Sequence, residues 1–293
     1  MARRSISVIG SMKNGQMSGP FWIGLPNGGF LHGFADEETG LATGNEIAFI
    51  YPDGVTALKG KFEHKVMKNA KHFEIINYAY DSNGILVADK FTRALSNDSF
   101  FFDPPSTLDY GGGYNEGFVP DPFEMKNVKL AESRVIKGGE GVVAIKDLPK
   151  GQLVAYFSLH LHKTEAEIQA YRANCLYNQT RSMDERRACT KYSLPMVNWL
   201  GTMDLAPEHD KNPLPNFGPK INHHFSQFNV GFKEAEHPRW GLIMSVTALR
   251  DIQAGDELFA DYGYEKMAAP NDFPWYWQLY EEHQKRSHQI DEL

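Results

Sequence analysis

The sequence predicts an α+β protein built mainly from β-strands, with β-hairpin repeats in its N-terminal part and a helix near its C-terminal end. Three observations support this fold class. Turns of the form Pro-Asx-Gly at residues 26–28 and 52–54 each precede an extended run, which is typical of β-hairpins. Short apolar runs separated by glycine-containing turns continue through residues 128–157 and 242–249, and they indicate further strands. An aromatic-rich run that becomes charged and amphipathic, within residues 271–289, predicts the helix.

Length, composition and charge limit the fold and its partners. The chain has 293 residues, of which 42% are hydrophobic and 13% aromatic, so it can form one large domain or two smaller ones around a substantial core. Its formal net charge of −7 argues against nucleic acid as the main partner. The same charge suits a basic peptide or protein, because opposite charges steer association over long distances.

Cysteines and apolar runs indicate the compartment. Cys175 and Cys189 are too few for a disulfide framework or a structural zinc cluster, so we expect a reduced intracellular compartment. The basic residues 1–5 are not followed by a long apolar run, so we expect no signal peptide. No run approaches the roughly 18 apolar residues that cross a bilayer, so we expect no membrane segment.

The N-terminal elements repeat one pattern. Residues 25–34 and 51–62 each place a Pro-Asx-Gly turn before a strand that carries Gly-Phe or Gly-x-Phe. Proline presets the first dihedral angle of such a turn, and glycine accepts a positive φ. Similar hairpins in succession predict a small β-solenoid that buries its aromatic face by stacking, and a plain antiparallel sheet is the alternative.

The middle of the chain changes character at several points. Glycine and proline punctuation over residues 96–122 predicts a linker or a loop-rich junction between two domains. Strands are predicted over residues 128–157, around a glycine cluster at 138–141 that lacks the Gly-Lys-Ser/Thr ending of a phosphate-binding loop. A short capped helix is predicted over residues 164–172 and a proline-rich loop over residues 204–219.

Two motifs in the second half are the most informative. The first is Asn-His-x-Phe at residues 222–225 with Asn229, which offers donors and acceptors for a polar ligand. The second is Asp-Tyr-Gly-Tyr at residues 261–264, which places two phenols around a glycine hinge and follows an acidic turn at residues 255–258. Neither motif is a complete nucleophile-and-base set of the hydrolase kind.

Together with Gly-Glu-Gly at residues 139–141, these motifs are similar in order and spacing to the signature motifs of SET-domain protein-lysine methyltransferases. The N-terminal hairpins resemble the degenerate MORN repeats of one group in that family, most closely at residues 43–62. The resemblance covers residues 25–285. It implies a MORN-like β-hairpin repeat domain at 1–105 and a SET domain with a C-terminal helical segment at 106–293. In that family the Asn-His segment threads under the loop after the tyrosine motif and forms a pseudoknot.

The resemblance also implies a reaction and its partners. The reaction is transfer of a methyl group from S-adenosylmethionine to a lysine of a histone or another protein. The implied enzyme is a monomer in the nucleus, in the cytoplasm or on chromatin, with no direct contact to nucleic acid or membrane. A free lysine, with a pKa of about 10.4, is almost fully charged at pH 7 and must become neutral before it attacks. An aromatic channel and the sulfonium charge both lower that pKa, so no separate histidine or glutamate base is needed.

The residue roles implied by the resemblance fall into three groups. The catalytic residues are Tyr262 and Tyr264. The cofactor-binding residues are Gly138, Glu140, Lys220, Asn222, His223 and Trp275. The residues that line the lysine channel are Phe157, Phe232, Tyr262 and Tyr264. The resemblance implies no metal ion.

The sequence departs from the family pattern at three positions. Two further channel tyrosines of the MORN-bearing members correspond to Phe157 and Phe232, and a glutamate near the C-terminal tryptophan corresponds to Leu279. Tyr156 could replace Phe157 only through a one-residue slip, which reverses the two faces of a strand. A tyrosine hydroxyl beside the amine crowds a second methyl group, so the two phenylalanines predict dimethyl-lysine or a higher state as the product.

Two other functions stay open on the sequence. The phenylalanines also fit a SET-shaped binding module without catalytic activity. Separately, His160 and His162 share one face of a predicted strand, and with Glu165 they resemble part of a cupin metal site. A second histidine in a matching later motif is not evident, and two surface histidines are the plainer explanation.

Overall fold

The computed structural model describes residues 7–36, 38–40, 44–63, 66–95, 121–157, 160–162, 166, 170, 173, 180, 194–196, 201–204, 216–263 and 274–291. The elements whose bounds are described are the strands of four sheets, a short and a long α-helix, and one 3-10 helix. Strands dominate, and the long helix follows them, so the predicted α+β class with mainly β-structure is confirmed.

The N-terminal region is one antiparallel sheet whose seven strands lie side by side in chain order. The strands are β1 (Val8–Lys13), β2 (Gln16–Gly24), β3 (Phe30–Phe34), β4 (Gly44–Ile50), β5 (Thr56–Glu63), β6 (Val66–Tyr80) and β7 (Leu86–Phe91). The predicted turns at residues 26–28 and 52–54 join β2 to β3 and β4 to β5, so both hairpins are confirmed. Successive hairpins extend a single antiparallel sheet.

The turn between β4 and β5 shows why these residues form a hairpin. Gly54 has a φ of 68°, which glycine adopts without strain because it has no Cβ. The Asp53 carboxylate accepts hydrogen bonds from the backbone N–H groups of Val55 (2.9 Å) and Thr56 (2.8 Å). These two bonds satisfy donors that the tight turn leaves without a strand partner.

The second region holds the other described elements. Its strands are β8 (Val128–Glu132), β9 (Glu140–Ala144), β10 (Leu153–Phe157), β11 (His160–His162), β12 (Leu194–Met196), β13 (Gly201–Asp204), β14 (Asn222–His223), β15 (Val230–His237), β16 (Gly241–Ala248) and β17 (Phe259–Ala260). Its helices are α1 (Pro122–Met125), a 3-10 helix (Gly218–Lys220) and α2 (Pro274–Asp291). Five strands form one sheet in the order β10-β16-β15-β17-β14, while β8 pairs with β9, and β11, β13 and β12 form a third group.

The predicted linker at residues 96–122 needs a correction at its end. Residues 96–120 lie outside the described part of the chain, but Asp121 and Pro122 begin α1. The Asp121 side chain accepts hydrogen bonds from the first free N–H groups of this helix, and proline suits the first turn because no N–H is needed there. Glycine and proline punctuation therefore marked a helix start as well as a junction.

Two further predictions concern the segment before the Asn-His motif. The helix predicted over residues 164–172 falls on residues that are mostly outside the described ranges. The loop predicted over residues 204–219 runs, where it is described, into the 3-10 helix Gly218–Lys220. At the C-terminal end the predicted helix is confirmed as α2, and among the described helices none is long and apolar enough to cross a membrane.

The hydrophobic core joins the two regions. One buried cluster combines Phe49, Tyr51 and Leu58 of the N-terminal sheet with Tyr156 and Trp240 of the second region. A separate cluster fills the space around the five-stranded sheet. The face of the N-terminal sheet that carries Tyr51 therefore packs against the same β10 strand that leads to Phe157.

Candidate functional site

The two signature motifs lie against each other in the structure. Strand β14 (Asn222–His223) pairs in parallel with β17 (Phe259–Ala260), although the two are far apart in sequence. Asn229 reinforces this contact, because its side chain donates to the Glu257 carbonyl (2.9 Å) and accepts from the Phe259 N–H (2.9 Å). The five-stranded sheet thus brings the Asn-His segment beside the residues that precede Tyr262.

Asn222 joins three separate segments. Its side-chain nitrogen lies 2.9 Å from the Glu140 carbonyl oxygen, 3.1 Å from Glu257 Oε1 and 3.3 Å from Ser133 Oγ. An amide nitrogen has two hydrogens to donate, so these three acceptors share them. The Asn-His motif is in this way bonded to the Gly-Glu-Gly segment and to the acidic turn.

Glu257 is a central residue that the sequence did not single out. Its side chain is only 3% exposed, and its carboxylate accepts from Ser133 Oγ (2.8 Å), the Arg134 N–H (2.7 Å) and Asn222. A Cβ added to Gly141 would lie 2.2 Å from Glu257 Oε1, so a larger residue there would displace this carboxylate. The acidic turn at residues 255–258 was the only feature of the sequence that pointed to Glu257. The pattern of polar and apolar residues could not show which of its acidic side chains is buried.

Three other predicted cofactor residues belong to the segments around Asn222. Lys220 Nζ is 3.1 Å from Glu140 Oε2, and the Glu140 backbone is bonded to the Asn222 side chain. The Glu140 side chain is 60% exposed and that of Lys220 is 25% exposed, so both charges remain accessible to a ligand. Gly138, two residues before Glu140, has a φ of 71° in the turn that precedes β9. The structure therefore brings Glu140, Lys220 and Asn222 together, and it places Gly138 in the turn that leads to Glu140.

His223 and Tyr262 form the other side of the site. His223 Nδ1 lies 3.1 Å from the Ala260 carbonyl oxygen and 3.2 Å from the Tyr262 backbone nitrogen. It can donate to the first or accept from the second, according to the tautomer. The Tyr262 hydroxyl donates to the Ile221 carbonyl over 2.6 Å, and its ring centroid is 5.2 Å from that of His223. The phenol is therefore held by the backbone of the Asn-His segment.

The two phenylalanines of the predicted channel are in contact. The rings of Phe157 and Phe232 are 5.6 Å apart in an edge-to-face arrangement, which suits aromatic quadrupoles. Tyr156 faces the other way, with its ring 4.7 Å from His237, 5.4 Å from Trp240 and 6.4 Å from Tyr51. A one-residue slip that would bring Tyr156 beside Phe232 is thus absent. Tyr264 lies outside the described residues.

Helix α2 packs on the Asn-His-x-Phe segment. Tyr276 is fully buried, with its ring 4.9 Å from His223 and 5.2 Å from Phe225. Phe225 also contacts Tyr280 and stacks on His283 at 5.1 Å. Sequence reasoning selected Trp275, which lies in α2 but whose side chain is outside the described part, and it missed Tyr276. The aromatic run gave a signal for the helix but not for its buried face.

The cupin-like residues take a different place. His160 and His162 lie in β11, which pairs with β13 away from the sheet that carries Asn222, and Glu165 is outside the described residues. The described ranges contain no group of three or more His, Cys, Asp or Glu side chains arranged to hold a metal ion.

Two family models match the chain. Residues 12–83 match "Histone H3 K4-specific methyltransferase SET7 N-terminal", and residues 139–263 match the SET domain. The chain is also similar to the histone-lysine N-methyltransferase SETD7 of Halocynthia roretzi, with 29% identity over 269 residues. That alignment covers 89% of this chain and 62% of the relative, so this chain spans less than two thirds of the relative's length.

Solved structures show more distant similarity. The Chaetomium thermophilum Polycomb Repressive Complex 2 in an autoinhibited conformation bound to S-adenosylmethionine has a chain with 23% identity and a TM-score of 0.37, which covers 54% of this chain and 17% of that chain. CpSET8 from Cryptosporidium has 21% identity and a TM-score of 0.34, over 46% of this chain and 57% of that chain. Similarity this low carries no argument about function.

Proposed function

We propose that this chain, a SET-domain protein with a SET7-type N-terminal region, transfers a methyl group from S-adenosylmethionine to the side-chain amine of a lysine in a protein. The observation that supports this most directly is the bonding of Asn222 to both Glu140 and Glu257, with His223 beside Tyr262. This contact unites the three motifs of the family at one place.

The accessible polar residues fit the cofactor. Lys220 carries a positive charge that suits a carboxylate, and Glu140 carries a negative charge that suits an ammonium group, so the pair matches an amino-acid moiety. We assign Gly138, Asn222 and His223 to the same binding site, and Trp275 to its adenine end. S-adenosylmethionine would supply an electrophilic methyl group on a sulfonium ion, which needs no covalent nucleophile of the enzyme.

The channel residues fit an uncharged amine. Phe157 and Phe232 provide apolar walls, and a low-polarity environment disfavours the charged form of lysine. Because the Tyr262 hydroxyl donates its proton to the Ile221 carbonyl, its oxygen still has a lone pair that can accept a hydrogen bond from the amine. We assign Tyr262 as a catalytic residue on this basis, and Tyr264 on the family resemblance alone.

We also propose a domain organisation, a class of substrate and a subcellular location. Residues 1–105 form a MORN-like repeat domain, and residues 106–293 form the SET domain with its C-terminal helix. The substrate is a lysine in a histone tail or another protein, which the net charge of −7 suits because such tails are basic. The enzyme acts as a monomer in the nucleus, in the cytoplasm or on chromatin, without direct binding to nucleic acid.

Calorimetry and mass spectrometry test the proposal together. Wild-type protein should bind S-adenosylmethionine and should label lysine in mixed histones with isotopically marked methyl groups. Lys220→Ala should weaken cofactor binding by about tenfold, because it removes a charge-assisted hydrogen bond. The matched control is Lys150→Ala, which removes an exposed lysine from the turn before β10. A folded wild-type protein that binds no cofactor at millimolar concentration would exclude the proposed function.

A second candidate is a SET-shaped binding module without turnover. The replacement of two channel tyrosines by Phe157 and Phe232 is the observation that favours it. Tyr262→Phe separates the two, because it removes one hydroxyl and keeps the ring. An enzyme should lose turnover while its cofactor affinity stays close to wild type, the mark of an interaction made mainly in the transition state. Cofactor and peptide binding without any methyl transfer by wild type would support the module.

A further inference from the structure

A buried carboxylate lies behind the proposed site. Glu124 belongs to α1, and its side chain is fully buried. Burial, followed by the charge of Asp121, raises the pKa of Glu124 well above its usual value, and hydrogen bonds from backbone N–H groups oppose that rise. A buried acid persists only where its oxygens have partners, so its contacts indicate what it does.

Each Glu124 oxygen accepts one backbone N–H group. Oε1 accepts from Tyr156, and Oε2 accepts from Phe217 over 3.1 Å. Tyr156 lies in β10, an edge strand of the five-stranded sheet, so some of its N–H groups have no neighbouring strand to bond. Glu124 accepts the N–H of Tyr156 in this edge strand. It also accepts the N–H of Phe217, which directly precedes the 3-10 helix.

The two bonded segments carry the proposed site residues. Phe157 of the lysine channel directly follows Tyr156, and Lys220 and Asn222 of the cofactor site follow Phe217 closely. The segments also touch, since a Cβ on Gly218 would lie 2.3 Å from the Tyr156 carbonyl oxygen and 2.7 Å from the Phe157 Cα. A shift of either segment would therefore change the distance between the channel wall and the cofactor residues.

The N-terminal sheet holds α1 in place. Tyr51, directly after β4, donates its hydroxyl proton to Asp121 over 2.6 Å, and Asp121 is the residue that caps α1. Lys126 at the end of α1 forms an ion pair with Glu74 of β6 at 2.8 Å. Glu124 is therefore fixed from the N-terminal side while its carboxylate faces the SET-type region.

We propose that Glu124 is a positioning residue: it holds the strand that ends at Phe157 and the segment that leads to Lys220 and Asn222 at the separation that methyl transfer requires. This inference rests on the proposed function. It also gives the N-terminal sheet a part in catalysis, because Tyr51 and Asp121 fix the helix from which Glu124 reaches both segments.

Glu124→Gln tests the proposal with little change of volume. Glutamine has one acceptor oxygen where glutamate has two, so one of the two N–H groups then faces an amide donor. We expect kcat on a lysine peptide to fall by about 10- to 100-fold, because small misplacements of reacting groups cost that much. We also expect the peptide KM and the dissociation constant of S-adenosylmethionine to rise several-fold per folded molecule. Glu46→Gln is the control, since it makes the same chemical change at an exposed glutamate that pairs with Lys59 inside the N-terminal sheet and has no part in holding α1.

A purely structural role would give a different pattern. In that case Glu124→Gln would melt at a lower temperature, while its folded molecules would keep the wild-type KM, cofactor affinity and kcat, and this result would overturn the proposal. If the variant does not fold, Tyr51→Phe replaces it and should change the same constants in the same direction by a smaller factor.

Amide hydrogen exchange separates this inference from the proposed function. The N–H groups of Tyr156 and Phe217 should exchange faster in Glu124→Gln than in wild type and in Glu46→Gln, whether or not the protein is an enzyme. Faster exchange in a protein that neither binds S-adenosylmethionine nor transfers methyl groups would exclude the proposed function and leave the positioning contact in place. Unchanged exchange at both amides would overturn the positioning contact itself.

Discussion

The proposed lysine channel contains one hydroxyl group, which already donates a hydrogen bond, and two aromatic rings without polar atoms. Tyr262 donates to the Ile221 carbonyl at 2.6 Å, whereas Phe157 and Phe232 meet edge to face at 5.6 Å. An amine beside these phenylalanines has fewer hydrogen bonds to fix its orientation and more space around it. That space is what a methylated amine needs in order to be methylated again.

The two phenylalanines determine how many methyl groups we expect on the product lysine. If the proposed function holds, wild-type protein should form dimethyl-lysine or a higher state, and Phe232→Tyr should shift the products toward monomethyl-lysine. The added hydroxyl would accept a hydrogen bond from the amine and occupy the volume of a second methyl group. Mass spectrometry of a lysine peptide after long incubation with excess cofactor measures the ratio.

Phe34→Tyr is the matched control for that substitution. It adds the same hydroxyl to a ring of the N-terminal sheet that is 64% exposed, so the product ratio should not change. Wild-type protein that stops at one methyl group under these conditions would contradict the argument about the channel.

Helix α2 is the element whose packing matters most for the site. Its buried residue Tyr276 contacts both His223 and Phe225, so the helix covers the Asn-His-x-Phe segment. Leu279 belongs to the same helix but is 46% exposed. The conformation of the Asn-His-x-Phe segment and the packing of α2 therefore depend on each other.

Tyr276→Ala should release α2 from the site. Removal of a fully buried aromatic side chain costs about 3–5 kcal/mol, which is enough to detach a terminal helix without unfolding the rest. We expect faster proteolytic cleavage within residues 274–291 and weaker binding of S-adenosylmethionine. Leu279→Ala in the same helix should change neither, and equal protease resistance of the two variants would refute this account of the packing.

Across the whole molecule, the contact between the two regions contains a buried polar cluster. Its members are Tyr51, His72, Asp121, His237 and Arg239. Asp121 accepts a hydrogen bond from the Tyr51 hydroxyl. Arg239 Nη1 lies 3.9 Å from Oδ2 of Asp121. Burial raises the pKa of Asp121, but the hydrogen bond and charge of His72 and the charge of Arg239 outweigh it and lower the pKa to about 2.

His237 makes this contact sensitive to acid. Burial lowers the pKa of His237 from 6.5 to about 3, against the opposing charge of Asp121. Between these values the unfolded histidine binds a proton and the folded one does not. The contribution of His237 to stability therefore falls as the pH drops from 6.5 to 3, by up to about 1.4 kcal/mol per pH unit.

Urea unfolding of His237→Asn tests whether His237 lowers the folding stability as the pH falls. Asparagine can still accept the Arg239 N–H, which His237 Nδ1 accepts at 3.1 Å, but it does not titrate. The variant should be less stable at pH 8 because it packs less well, and it should lose less stability than wild type between pH 6.5 and 4. The raised pKa of Glu124 acts in the opposite sense but is present in both proteins, so the difference between them isolates His237. Parallel losses in both proteins would show that His237 does not titrate as described.

Local sequence was sufficient for several elements. The turns that contain Gly28 and Gly54 need a positive φ, and the sequence places glycine there. The strand predicted at residues 242–249 and the helix predicted at residues 271–289 correspond to β16 and α2, because hydrophobic periodicity depends on neighbours within a few positions. The order of the motifs was also enough to indicate the family, which the matches to residues 12–83 and 139–263 support.

The sequence by itself thus determined the mainly β-fold, the hairpins and the family, since each depends on residues close together in the chain or on motif order. Only the tertiary structure decided which acids are buried and what they bind. Glu257 meets Ser133 and Asn222, and Glu124 meets Tyr156 and Phe217, across separations that no local pattern records. The physical reason is that a carboxylate is stable in the interior only when distant segments converge to give it hydrogen-bond donors.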